Sequence, residues 1–127
     1  MIYSTSQKSR MDNILAAFQG YIQTHPSFDI VYSEKIGYIR LNVEDPDAED
    51  LTIIESADDL LEILFDEIIN DVRFGNKQKR RRSSNLSESD KIEIRRQITD
   101  ILKTVTIESE HCLEFMDSYL EDYFNEE

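Results

Sequence analysis

The sequence predicts an α+β fold, in which a small antiparallel β-sheet of two or three strands is covered by about four helices. Apolar residues recur at helical spacing before His25 and after Ser56, which predicts helices in both regions. Between them, short segments alternate apolar with polar residues and are rich in Ile, Val and Tyr, as strands are. The expected order is therefore α-β-β-(β)-α-loop-α-α. A chain of 127 residues has the size of one domain, so we expect a single acidic domain over residues 1–127.

The first elements are a helix and a hairpin. Residues 4–24 are predicted to be helical, with Ser9 or an earlier serine as the cap, and Pro26 ends this helix because the residue before a proline resists the helical region. Residues 28–33 and 36–43 are predicted to be strands, and residues 51–55 a short third strand. In the first strand Phe28, Ile30 and Tyr32 share a face, and in the second Ile39, Leu41 and Val43 do.

The most clearly marked element is a central helix over residues 56–73. Its apolar residues fall within one broad arc: Ala57, Leu60, Leu61, Leu64, Phe65, Ile68 and Val72. Ser56 occupies the N-cap position, Asp59 three residues later gives a start like a capping box, and Gly75 follows the end. Burial of such side chains contributes about 1.5–3 kcal/mol each, so this helix is expected to form the main wall of the core.

Two more helices are predicted after a loop. Residues 76–86 lack apolar periodicity, and we expect a mobile basic loop there. Ser87 with Asp90 three residues later indicates a helix start, and apolar residues follow at helical spacing: Ile94, Ile98, Ile101, Leu102 and Val105. The β-branched residues 104–107 predict a break or a kink, and a last helix is expected from about Ser109.

Charge is unevenly distributed in a chain of net charge −13. Residues 41–72 contain twelve acids and residues 104–127 contain eight, and neither stretch has a Lys or Arg. Residues 77–96 instead hold eight bases against three acids, a net of +5. Such asymmetry gives a strong local field and indicates contact surfaces.

The basic segment is one candidate contact surface. Its cations are Lys77, Lys79, Arg80, Arg81 and Arg82. They would touch nucleic acid phosphates or an acidic partner, or act as a localisation signal. A solvated loop, or one that folds back on the acidic surface of its own molecule, is the alternative interpretation. Nucleic acid binding is disfavoured, because these few charges neutralise few phosphates and no aromatic residue is interleaved for base stacking.

The acidic helix faces are the second candidate, with Asp59, Glu62 and Asp66 as the partner-binding residues of the central helix. Acids spaced along a rigid helix imitate a phosphate backbone, so a nucleic-acid mimic that inhibits a DNA-binding protein is one hypothesis. A basic or unstructured protein partner fits the same pattern. The simpler interpretation is that these acids are the outward faces of amphipathic helices.

No catalytic or metal site is predicted. Asp45 and Asp47 begin like an EF-hand loop, but Asp50 and Ser56 stand where that loop needs Gly and Glu. Glu108 and His111 have the Glu-x-x-His spacing of di-iron proteins, yet a second such pair is lacking. We therefore expect no cofactor and no enzyme activity.

Cys112 lies on the apolar arc of its helix, so it is predicted to be a small buried hydrophobe rather than a nucleophile. A single cysteine cannot form an internal disulfide, which favours a reducing compartment. The sequence has no apolar signal-peptide core and no apolar run approaching about 18 residues, so we expect a cytoplasmic protein that does not bind membranes. Phe115 and Ile63 lie off the main apolar arcs, and a homodimer contact is one explanation for them.

The leading hypothesis is a small, non-enzymatic, intracellular protein-interaction or regulatory module that uses the acidic helix faces and the basic loop. The alternatives are an acidic nucleic-acid mimic and a nucleic-acid binder acting through residues 77–82.

Overall fold

The computed structural model describes residues 3–43, 51–74 and 86–126. In order, their elements are α1 (Thr5–Thr24), β1 (Phe28–Ser33), β2 (Gly37–Asn42), β3 (Leu51–Ile54), α2 (Ala57–Phe74), α3 (Glu88–Leu102) and α4 (Ser109–Asn125). This confirms the predicted α+β class, the third strand and the order of the helices. No helix among these residues is long and apolar enough to cross a membrane.

The chain divides into two compact units, Met1–Leu60 and Leu61–Glu127, and the boundary falls inside α2. The first unit contains α1 and the whole sheet, and the second contains α3, α4 and most of α2.

In the first unit the three strands form one antiparallel sheet in the order β1-β2-β3. The register pairs Phe28 with Asn42 and Tyr38 with Ile54, so the even-numbered residues of all three strands share a face. Helix α1 packs against β1 on that face, where Phe28, Tyr38 and Ile54 are buried. Its own buried residues are Met11, Ile14, Phe18 and Ile22.

Local chemistry sets the boundaries of these elements. The Ser4 hydroxyl accepts the Gln7 N–H at 3.1 Å and caps α1, so the cap is a serine earlier than Ser9. The Ser56 hydroxyl accepts the Asp59 N–H at 3.1 Å, which confirms the predicted start of α2. Gly37 opens β2 with φ of 109°, a backbone conformation that favours glycine because it has no Cβ.

In the second unit the apolar faces of three helices are buried. The fully covered residues of α2 in this unit are Leu61, Leu64, Phe65, Ile68 and Ile69, those of α3 are Ile94, Ile98 and Leu102, and α4 buries Cys112, Met116 and Leu120. Ser87 and Asp90 form the predicted capping box at the start of α3. The helix ends at Leu102 and α4 begins at Ser109, so the predicted break between them is confirmed.

Some predictions fall on residues outside the described part of the chain. These are the acidic connection at residues 44–50, Gly75, and the basic loop except for Leu86, which is buried.

Candidate functional site

The candidate site is the second face of the sheet, formed by the odd-numbered residues of the three strands; we call it the open face. In the register Val31 pairs with Ile39 and Ile39 with Ile53, which places one apolar residue of each strand in a single row. The next row contains Leu41 and Leu51, together with Asp29 at the edge of the sheet. Five apolar side chains therefore lie together on this face.

Three of these five side chains are exposed to solvent. Leu51 is 60% exposed, Ile53 is 50% exposed and Val31 is 37% exposed, around a buried Ile39. Antiparallel sheets with one solvated face normally carry polar residues on it. Contiguous exposed apolar patches on a folded chain mark binding surfaces.

The open face extends slightly beyond the paired rows. Val43, the residue after β2, is more than half exposed, and its N–H donates to the carbonyl of Ser27 at 2.8 Å. This backbone hydrogen bond fixes the position from which the Val43 side chain projects.

Behind the open face, a polar and aromatic cluster holds the sheet against α1. The Tyr38 hydroxyl donates to the Asp12 carboxylate, and Lys8 Nζ lies 3.0 Å from Asp12 Oδ2. The Tyr38 N–H donates to the Tyr3 hydroxyl at 2.9 Å, and that hydroxyl donates to the carbonyl of Ile54. The hydrogen bond with Asp12 raises the pKa of Lys8, and burial raises the pKa of Tyr3. The cluster links α1 to β2 and β3, so the open face is presented by a preorganised sheet.

The free edge of β1 is protected. The Ile30 N–H donates to the Asp29 carboxylate at 2.8 Å, so this amide points away from β2 and is already satisfied. A satisfied, charged edge is a common means of preventing strand-to-strand pairing. The face of the sheet is consequently a more accessible binding surface than the edge of β1.

The acidic residues predicted as partner-binding are only partly exposed. Asp59 and Glu62 are half-buried, and the Asp59 N–H takes part in the cap of α2. Asp66 is also half-buried, and its carboxylate accepts a hydrogen bond from the hydroxyl of Tyr119 on α4. Burial raises the pKa of Asp66, although the hydrogen bond from Tyr119 opposes the shift. Asp66 therefore contributes to packing within the second unit, and a partner role for these three acids stays a prediction.

The predicted basic contact residues, Lys77, Lys79, Arg80, Arg81 and Arg82, lie outside the described residues. Their role as a contact surface stays a prediction.

The residues considered for catalysis and metal binding differ in their exposure to solvent. Cys112 is buried and forms no disulfide, as predicted for a small core residue, whereas His111 is exposed in the first turn of α4. Phe115, which lies off the main apolar arc of its helix, packs its ring 6.2 Å from the ring of Phe65 and 6.4 Å from that of Tyr119. Within the described residues, no group of three or more His, Cys, Asp or Glu side chains has the arrangement of a metal site.

The residues of the open face were not predicted as functional, although the sequence carries a signal for them. Adjacent apolar residues, Ile30 with Val31 and Ile53 with Ile54, place apolar side chains on both faces of β1 and β3. Such runs are typical of strands covered on both sides.

Comparisons with known protein families, with curated proteins and with solved structures found no match for this chain.

Proposed function

We propose that this chain is a non-enzymatic protein-interaction module that binds a partner protein through the open face of its sheet. The observation that carries the proposal is the exposure of Val31, Leu51 and Ile53 in adjoining rows of a sheet whose other face is packed on α1. Interface cores are depleted of charged residues, and the two paired rows contain only one charged side chain, Asp29.

The nucleic-acid mimic receives less support. A mimic needs acidic side chains held outward along a surface, yet several acids of the helices are engaged within their own unit. Asp58 binds Arg10 at 3.2 Å, Asp66 binds Tyr119, and Asp117 binds Arg95. We infer a cytoplasmic site of action from the presence of a single cysteine, which cannot form a disulfide within the chain.

Site-specific photo-crosslinking in the native host tests the proposed function. A photoreactive amino acid at position 53 is expected to give a discrete adduct larger than the chain itself, because a partner covers this side chain. The matched control places the same amino acid at position 92, since Ile92 on α3 is 68% exposed but lies in the other unit.

The proposal is supported if position 53 gives an adduct that is lost when Leu51 is changed to Asn, and if position 92 gives no adduct. No adduct at position 53, or equal adducts at both positions, would refute it. The Leu51→Asn variant is expected to fold, because substitutions at exposed positions usually change stability by only about 0.5 kcal/mol.

A further inference from the structure

The dimensions of the open face fit one α-helix. Neighbouring strands lie about 4.8 Å apart, so the outer strands of a three-stranded sheet are separated by roughly 10 Å. An α-helix with its side chains is about 10–12 Å across, and one helix therefore spans Val31, Ile39 and Ile53. Helix α1 already packs on the other face, where it contacts β1 and, through Lys8 and Asp12, Tyr38 of β2. A helix on the open face would complete the layered arrangement in which apolar sheet faces are normally found.

The charges around the open face indicate which charged residues a bound helix would carry beside its apolar stripe. The one charged side chain within its rows is the acid Asp29, and Glu34 and Glu55 are exposed next to the ends of β1 and β3. The described residues of this stretch, 28–43 and 51–56, contain three acids and two bases. Of the two bases, Arg40 projects from the covered face, with its guanidinium carbon 5.4 Å from the centre of the Phe28 ring. A partner with basic flanks is therefore attracted, and an acidic one is repelled.

A second copy of this chain fits less well. Each copy carries a net charge of −13, which opposes self-association. Helix α3 does present Ile92 next to the bases Lys91, Arg95 and Arg96. However, Ile92 is a single apolar side chain, whereas the open face has five to cover. Those three bases also form ion pairs with acids of their own unit.

We infer that the open face binds one amphipathic α-helix of a partner protein, with an apolar stripe flanked by lysine or arginine. This inference rests on the proposed function and specifies the chemistry of the partner. Ile53 and Leu51 would pack against the apolar stripe, and Asp29, Glu34 and Glu55 would face its cations.

The test uses the full chain and three synthetic peptides of about three heptads. The first carries Leu at its a and d positions and Lys at most others, the second replaces every Lys by Glu, and the third is a scramble of the first. Binding is measured by fluorescence anisotropy at about 0.15 M ionic strength, where long-range attraction is largely screened. The first peptide is expected to bind at least about tenfold more tightly than the other two, a difference of about 1.4 kcal/mol.

Variants of the chain locate the binding surface. Ile53→Asn is expected to weaken binding of the Leu/Lys peptide about tenfold, since it removes a half-exposed apolar contact on the outer strand β3 of the face. The control Ile92→Asn makes the same change at an exposed isoleucine of the other unit and is expected to leave the affinity unchanged. Circular dichroism of both variants verifies that the fold is retained.

Three results would overturn the inference: equal binding of the scrambled peptide, equal binding of the Glu peptide, or equal effects of Ile53→Asn and Ile92→Asn. A dimer detected by light scattering that dissociates in Ile53→Asn would also overturn it, because the occupant would then be a second copy. If the crosslink at position 53 persists while the Leu/Lys peptide fails, the partner chemistry is wrong and the proposed function stands. If the crosslink is absent, the proposed function itself fails.

Discussion

Tyr119 and Asp66 show how a side chain predicted to lie on an acidic surface is used within the structure. The Tyr119 hydroxyl donates to the Asp66 carboxylate, and both side chains are half-buried. The Tyr119 ring also packs 5.8 Å from the ring of Phe65. Burial raises the pKa of Asp66, and burial together with the hydrogen bond to Asp66 raises the pKa of Tyr119. An acid whose pKa is higher in the folded state makes the fold less stable as the pH rises between the unfolded and folded pKa values.

Removal of the Tyr119 hydroxyl is expected to destabilise the chain in a pH-dependent manner. Tyr119→Phe leaves a half-buried carboxylate without this donor, which costs about 1–3 kcal/mol at pH 7. Because the hydrogen bond favours the charged form, its loss raises the pKa of Asp66 further. The destabilisation is therefore smaller once the carboxyl is protonated at low pH. Urea unfolding at pH 7 and at pH 4 measures this difference.

Tyr32→Phe is the control for this prediction, since it removes a hydroxyl from an exposed tyrosine in the first unit. It is expected to have little effect at either pH. An equal loss of stability in Tyr119→Phe at pH 7 and pH 4 would contradict the assignment of the effect to the Asp66 carboxylate.

At the scale of elements, capping chemistry made the helix starts predictable. Ser87 and Asp90 satisfy each other's backbone amides at the start of α3, with the Ser87 hydroxyl accepting the Asp90 N–H at 3.1 Å and Asp90 Oδ2 accepting the Ser87 N–H at 3.3 Å. Ser56 caps α2 in a related way. Both starts were predicted, because a cap needs only residues three positions apart.

Loss of the cap of α3 is expected to cost about 1 kcal/mol, the usual value for an N-cap serine. Ser87→Ala removes the acceptor of the Asp90 N–H, whereas the control Ser89→Ala changes an exposed serine in the same turn and raises intrinsic helix propensity. Urea unfolding of the two variants measures the difference. A loss in Ser89→Ala as large as that in Ser87→Ala would contradict the capping role.

The pairing of strands was less predictable than the strands themselves. Both hairpin strands were expected, and the apolar sets of β1 (Phe28, Ile30) and β2 (Ile39, Leu41) were identified from alternation. The register places these two sets on opposite faces of the sheet, because Ile39 pairs with Val31 and not with an even-numbered residue. Register depends on the turn and on the packing of α1, which alternation within one strand does not specify. The open face was missed for this reason.

The apolar arc of α2 was predicted correctly except at two residues. Leu60, Leu64 and Ile68 are fully buried, as expected, but Ile69 is equally buried and was not assigned to the arc, while Val72 is only half-buried. An apolar arc on a helical wheel shows which side of a helix is buried. How many residues on that side are buried depends on the neighbouring elements that cover the helix.

At the scale of the whole molecule, the net charge of −13 is the dominant property. Like charges that crowd a folded chain repel one another and lower its stability. Helix α4 illustrates the effect, since Glu121 and Asp122 lie near its C-terminal end and no basic residue occupies its last turn. The C-terminus of a helix carries a partial negative charge, so acids there are unfavourable.

Salt is therefore expected to stabilise the chain. Raising NaCl from about 0.01 M to about 0.15 M shortens the screening length from about 30 Å to about 8 Å, which weakens repulsion between distant acids more than attraction within close ion pairs. The melting temperature, followed by circular dichroism, is expected to rise by a few degrees. At low salt, the double variant Glu121→Gln, Asp122→Asn should have a higher melting temperature than the parent, and this temperature should respond less to NaCl. The control is Asp29→Asn, which removes one exposed acid away from a helix end. Its melting temperature is expected to rise less. A melting temperature that falls with added NaCl would show that attractive pairs such as Lys8 with Asp12 and Arg96 with Glu93 outweigh the repulsion.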